Sequence, residues 1–334
     1  MDLETWDDLI EQCSGSIFLR PECMSMHDYG YLPSFFQFYD DSQNIIGIAF
    51  GVLIKSPRRF VGRFIKSLYF PTLPVTTDGF HHFLDRMIQE IIRYGRDEKV
   101  ISITIDSFYC KAAYKDFERL GFKTRGRWEF ILDLQDTEVE IWDNMSKHHR
   151  RDIRYSGKKG LVFVENPSGV ELSQLIELQE SARERTRKKG GNYGLPSLQT
   201  YQSLKRNLVD KGYASLFLAC KEGEPTSFLL VAIYNKRAYT IFAGTSPNGF
   251  HLLAPVFLYW NTALALKKMG VVEWNLGGIP WEAQVETSQS HGLFKFKERF
   301  GTKKVLCYSA EIKNVNKLRA ATINFAMVLR AWNR

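Results

Sequence analysis

One order of elements occurs twice in this chain of 334 residues, and that repetition limits the fold more than any motif. In the first half, FFQFYDDSQNIIGIAFGVLIK reads as two β-rich runs about the turn Asp40-Asp41-Ser42-Gln43-Asn44, a hairpin. RFIKSLYF is a third strand, ended by Pro71 and Pro74. The helix GFHHFLDRMIQEIIRYG follows, with Phe83, Leu84, Met87, Ile91 and Ile92 recurring near every 3.6 residues and Gly95 as its expected stop. Strand VISITIDSF, helix YKDFERLG and strand RWEFILDL complete the unit. The second half repeats the order with the hairpin YASLFLACKEGEPTSFLLVAIYN, strand AYTIFAG, helix APVFLYWNTALALKKMG and strand VEWNLGG. Two landmarks lie at the same offset of 180 residues: Ser42 with Glu222, and Glu118-Arg119-Leu120-Gly121 with Glu298-Arg299-Phe300-Gly301. A shared offset at separated places argues for duplication, against chance likeness of two ordinary units.

The expected fold is α/β (α+β), a tandem pair of domains, each a mixed and mostly antiparallel sheet flanked by helices. The boundary falls near Asp136, giving domains at 1–136 and 137–334. The second carries a helical insertion, 137–212, without counterpart in the first half, and a C-terminal amphipathic basic helix, 315–334. The insertion holds Lys147, His148, His149, Arg150, Arg151, Arg154, Lys158 and Lys159. With a net charge of +8, this cluster points to phosphate groups, nucleic acid or an anionic membrane face. The C-terminal helix could lie on a membrane or dock on its own domain.

Composition excludes several classes. Hydrophobic residues at 44% and charged residues at 25% describe a globular chain rather than a disordered one. Cys13, Cys23, Cys110, Cys220 and Cys307 form no CxxC pair, so neither a disulfide framework nor a zinc site is expected. Met1-Asp2-Leu3-Glu4 is acidic where a signal peptide would be basic, and no apolar run reaches the ~20 residues of a membrane span. The expected location is cytoplasmic, at most peripheral to a membrane.

Hairpin, strand, helix, strand, helix, strand is the outline of the acetyltransferase (GNAT) fold. The segments KHHRRDIRYSGKKGLVF, FAGTSPNGFHLLAPVFLYW, WNLGGI and GLFKFKERFG resemble the FemABX family of tRNA-dependent aminoacyl transferases, which extend the peptide of peptidoglycan precursors. The likeness runs along nearly the whole chain, and SARERTRKKGG leaves room only for a turn, so the chain is similar to family members lacking a helical-hairpin arm.

The resemblance implies transfer of an amino acid from aminoacyl-tRNA to an amine of a nucleotide- or lipid-linked peptidoglycan precursor, with no metal and no cofactor. It also implies roles. Lys297 would stabilise the oxyanion, although its alternation with Phe294 and Phe296 would equally suit a solvent-facing strand position. Asp106 would orient or deprotonate the incoming ammonium, or simply serve as a turn residue. Arg154 and Arg185 would hold phosphates, with Lys295 beside them in the binding set. Tyr239 and Phe242 would line the acceptor channel, core packing being the alternative, while His251 and His291, which have no metal-like spacing, are loop residues, His291 being counted among the substrate-binding candidates. A CoA-dependent N-acyltransferase is the rival enzyme, using acetyl-CoA or another acyl-CoA. However, SPNGFHLLAP and PVTTDGF lack the QxxGxG/A pattern that holds a pyrophosphate. A non-catalytic RNA- or membrane-binding protein is the third reading.

Overall fold

The computed structural model describes residues 3–26, 31–55, 65–77, 80–108, 116–166, 172–188, 194–313 and 315. Cys110 lies outside these residues, as does the helix expected over 315–334 beyond its first residue.

The chain begins with α1 (Leu3–Gln12), then β1 (Tyr31–Tyr39) and β2 (Ile45–Lys55). The hairpin turn follows from one carboxylate. Asp40 Oδ1 accepts the backbone N–H groups of Ser42 (2.9 Å) and Asn44 (2.8 Å), while Gln43 takes the left-handed conformation, φ 66°. Next come β3 (Lys66–Phe70), β4 (Val75–Thr76), α2 (Leu84–Asp97) and β5 (Ser102–Ile105). Helix α2 buries Met87, Ile88, Ile91 and Ile92 and continues through Gly95, which does not stop it. A β-carbon at Gly95 would press on Ile103 at 2.8 Å, so glycine there serves close packing on β5. Of the expected helix YKDFERLG, the described part is a 3-10 turn over Glu118–Leu120, ended by Gly121 at φ 86°.

Then follow β6 (Lys123–Asp133), α3 (Glu138–Asn144), α4 (Lys147–Gly157), β7 (Leu161–Glu165), α5 (Leu172–Lys188) and α6 (Leu198–Leu204). Thr137 and Glu140 form a capping box at the start of α3, and Ser146 caps α4 by accepting from His149 N–H at 3.2 Å. The remainder is β8 (Ala214–Lys221), β9 (Glu224–Tyr234), β10 (Arg237–Thr245), α7 (Pro247–His251), α8 (Ala254–Lys268), β11 (Glu273–Asn275), β12 (Ile279–Pro280), α9 (His291–Glu298) and β13 (Lys303–Lys313). Glu222 and Gly223, both with positive φ, make the β8–β9 turn.

Two compact units result, each a mixed sheet flanked by helices. In the first, β1, β2 and β3 are antiparallel neighbours, β3 is parallel to β5, and β13 pairs antiparallel with β5 through Ala310↔Ile105 to Lys313↔Ser102. In the second, β7, β8, β9 and β10 are antiparallel neighbours, β10 is parallel to β11, and β6 pairs antiparallel with β11 through Asp133↔Glu273 to Ile131↔Asn275. The two halves have therefore exchanged their closing strands. The strand ending the first half completes the second unit from Arg127 on, and the strand ending the second half completes the first unit from Cys307 on. This division differs from a single cut near Asp136, because backbone pairing rather than sequence adjacency decides which sheet a strand joins.

In the second unit, Phe130, Phe217, Leu229, Val231, Leu258, Leu266 and Trp274 form the main core, each buried side chain stabilising by roughly 1.5–3 kcal/mol. A second cluster about Leu175, Tyr201, Leu204 and Phe228 packs under α5 and α6.

Candidate active site

The strand expected for FKFKERF is helix α9, and this changes the position of its lysines. Phe294, Lys297 and Phe300 recur at helical spacing and are the buried positions, whereas Lys295 points outward and pairs with Glu298 at 2.8 Å. Aromatic contacts hold the helix. Phe296 and Phe300 both pack against Tyr259 and against the ring of His149 on α4. His149 Nε2 lies 2.9 Å from the carbonyl of Phe296, and burial pushes that imidazole's pKa down.

Lys297 is 5% exposed and donates from Nζ to the carbonyl of Gly277 at 2.6 Å. That carbonyl is aimed by the turn after β11. Asn275 Oδ1 accepts the N–H of Gly277 at 2.8 Å, and Gly277 sits at φ 86°, where a side chain would be strained. The other face of the ammonium meets the Phe130 ring, 5.8 Å from its centroid.

The anion of the cluster comes from β6. Arg127 and Glu129 stand two residues apart and so share one strand face. Glu129 is fully buried, with Arg127 Nη2 2.7 Å from Oε1. The same Nη2 donates to the Tyr239 hydroxyl at 3.1 Å, and Tyr239 is brought there by the register Tyr239↔Asn275 between β10 and β11. A β-carbon on Gly278 would overlap the Arg127 guanidinium, which therefore occupies the space a side chain there would need. Gly278→Ala is expected to expel Arg127, leave Glu129 buried without it, and cost about 1–3 kcal/mol in denaturant unfolding. Unchanged stability would show that the arginine relocates freely.

These neighbours set the charges. Burial pushes the Lys297 ammonium down to about 7, Glu129 opposing and Arg127 reinforcing the fall. Burial pushes the Glu129 carboxyl up, against the pull of Arg127, Lys297 and Asn275. Burial also raises the Tyr239 phenol. An amine that changes charge near neutrality, buried but anchored at Nζ, can donate to a developing oxyanion or accept a proton.

The remaining residues expected from the sequence have other partners. Asp106, following β5 in the first unit, accepts from the Tyr69 hydroxyl at 2.7 Å. The Arg154 guanidinium stacks 5.2 Å above Trp142, and that of Arg185 3.6 Å above Phe250. Phe242 packs on Tyr201 in the second core cluster. His291 Nδ1 lies 3.1 Å from the carbonyl of Ala283. The cluster thus unites Lys297 and Tyr239 with three residues the sequence reading passed over, Arg127, Glu129 and Asn275. The available signal was an Arg-x-Glu alternation inside the apolar run RWEFIL. Among the described residues, no grouping of three or more His, Cys, Asp or Glu is placed to hold a metal ion, and no helix is long and apolar enough to cross a membrane.

The fold is a tandem pair of mixed sheets, with the buried lysine cluster in the second unit. The family model of the FemAB family matches residues 219–327, about a third of the chain, and this segment is similar to that family. Its fold is similar to that of FemX, with a TM-score of 0.74 at 14% identity over 96% of this chain and 98% of that one. L-PGS from Bacillus licheniformis matches with a TM-score of 0.54 at 17% identity over 94% and 92% of the two chains. A tandem GNAT protein from the clavulanic acid biosynthesis pathway matches with a TM-score of 0.54 at 11% identity over 93% and 94%. No curated protein sequence matches the chain.

Proposed function

We propose that this protein transfers an amino acid from aminoacyl-tRNA to an amine on the peptide of a nucleotide- or lipid-linked peptidoglycan precursor. The observation carrying the reading is the buried Lys297 ammonium, anchored on the Gly277 carbonyl within the FemAB-family segment. The neutral amine attacks the ester carbonyl, forming the C–N bond and a tetrahedral oxyanion. Collapse breaks the C–O bond to the tRNA ribose, and the proton lost by the amine goes to that departing hydroxyl. Lys297, as a cation, stabilises the oxyanion, and the low-dielectric surroundings strengthen this effect. The ester is already activated, so positioning and one cation suffice.

Aminoacyl-tRNA is preferred over acyl-CoA as donor. Before α8, residues Pro247–His251 are wound into α7 and the Ser246 hydroxyl occupies the Gly249 N–H at 3.0 Å, in place of an open pyrophosphate-binding loop. Purified protein with charged tRNA and a muropeptide precursor is expected to yield an amide product, read by mass, that RNase treatment of the donor abolishes. A product formed equally from acyl-CoA and indifferent to RNase would overturn the assignment.

A further inference from the structure

The basic insertion resolves into two faces on α4. His149, Ile153 and Ser156 are buried at helical spacing, facing the body of the second unit. On the opposite side Lys147, Arg151, Arg154 and Lys158 recur at i, i+4, i+7 and i+11, all exposed. They form one straight stripe about 16 Å long, with a cation every 4.5–6 Å or so. Among the described residues, no carboxylate comes within ion-pair distance of Lys147, Arg154 or Lys158. Arg151 shares its guanidinium with its neighbour Asp152 at 3.0 Å and stays 70% exposed. Arg150, off the stripe, is tied to Asp143 at 3.1 Å. The Arg154 guanidinium sits over the Trp142 ring, and Tyr155, 51% exposed, offers a ring beside the stripe with Lys159 4.7 Å over it.

We propose that this face of α4 tracks the sugar-phosphate backbone of an RNA strand. The partner's identity as RNA rests on the transferase reading above, while the stripe itself is a feature of the helix. A row of evenly spaced, mostly unpaired cations suits a regularly spaced polyanion, and an exposed tyrosine gives an unpaired base a surface to stack on. An anionic membrane is the poorer fit. A helix lying in a lipid interface buries an apolar face in it, whereas the apolar face of α4 is already buried in the protein and its exposed side carries no Leu, Ile, Phe, Met or Trp.

The test uses the full chain and fluorescently labelled, unacylated tRNA, with affinity read by anisotropy across a salt series. The variant K147Q/R151Q/R154Q/K158Q removes the stripe. The variant R206Q/K236Q/K268Q/K303Q removes as much charge from exposed positions elsewhere. The first is expected to bind at least tenfold more weakly at 100 mM salt and to flatten the slope of log K against log salt by about 3. The second is expected to change the slope by less than about 1. Equal losses in both, or no RNA binding by the wild type, would overturn the proposal. So would loss of binding to phosphatidylglycerol vesicles with RNA binding intact. Because the probe is unacylated, RNA binding through α4 without any turnover would sink the transferase reading alone. Normal transfer and normal RNA binding by the first variant would sink the α4 assignment alone.

Discussion

Lys297→Met should lower the transfer rate by about 10²- to 10³-fold, the loss typical of removing one donor to a developing oxyanion. Methionine matches the unbranched stem of lysine, so the contact with Phe130 is retained while the ammonium and its bond to Gly277 disappear. Single-turnover measurement with preloaded aminoacyl-tRNA separates this loss from slower donor binding. A second measurement fixes the charge state that works. A lysine acting as a cation loses activity as pH rises through its pKa, which burial has lowered to about 7. The rate should then fall on the alkaline side of neutrality, where an ordinary lysine would still be charged. A rate that climbs through the same range would mean that the neutral amine is the active form, as a base. A Lys297→Met variant as fast as the wild type would remove Lys297 from the chemistry altogether.

The duplication was legible because hydrophobic periodicity and turn residues recur at a fixed offset. The exchange of closing strands was not. Periodicity says that RWEFILD and KKVLCYSAEIK are strands, but the edge each one joins is fixed by pairing with β11 and β5, residues far away in sequence. That blind spot hid half of the candidate site. Read as part of the first domain, Arg127 and Glu129 look like polar residues on an exposed strand face. Placed beside β11 they become a buried ion pair facing Tyr239 and Lys297. The role of Lys297 is implied by family likeness, whereas its local pattern points to a strand. FKFK alternates as a strand does, yet Phe294, Lys297 and Phe300 are the positions that bury, and burial against Tyr259 and His149 selects the helix over the period-2 reading. The basic run between 147 and 159 was legible as a cluster, whereas its division into a buried histidine and an exposed stripe needed the helix's orientation.

Glu129→Gln should destabilise the protein by about 3–5 kcal/mol, the usual loss when one partner of a buried ionic cluster is removed and the others remain. Glutamine keeps the shape but leaves the charges of Arg127 and Lys297 together in the core with no anion between them. The effect on Lys297 has a definite sign. The carboxylate opposes the fall of the lysine's pKa and Arg127 reinforces it, so deleting the carboxylate lowers that pKa further. A cationic Lys297 would then be scarcer at pH 7, and the alkaline limb of the rate profile would move to lower pH, with activity partly recovered on acidification. A merely structural glutamate would reduce the folded fraction and leave the limb where it was. The double variant Glu129→Gln/Lys297→Met decides between these. If the destabilisation comes from unopposed charge, removing the second charge relieves it, and the double variant unfolds at higher denaturant concentration than Glu129→Gln alone. Strictly additive losses would mean that the two groups do not interact. In that case burial alone, without Glu129, sets the lysine's pKa, and the role of β6 in the site reduces to packing.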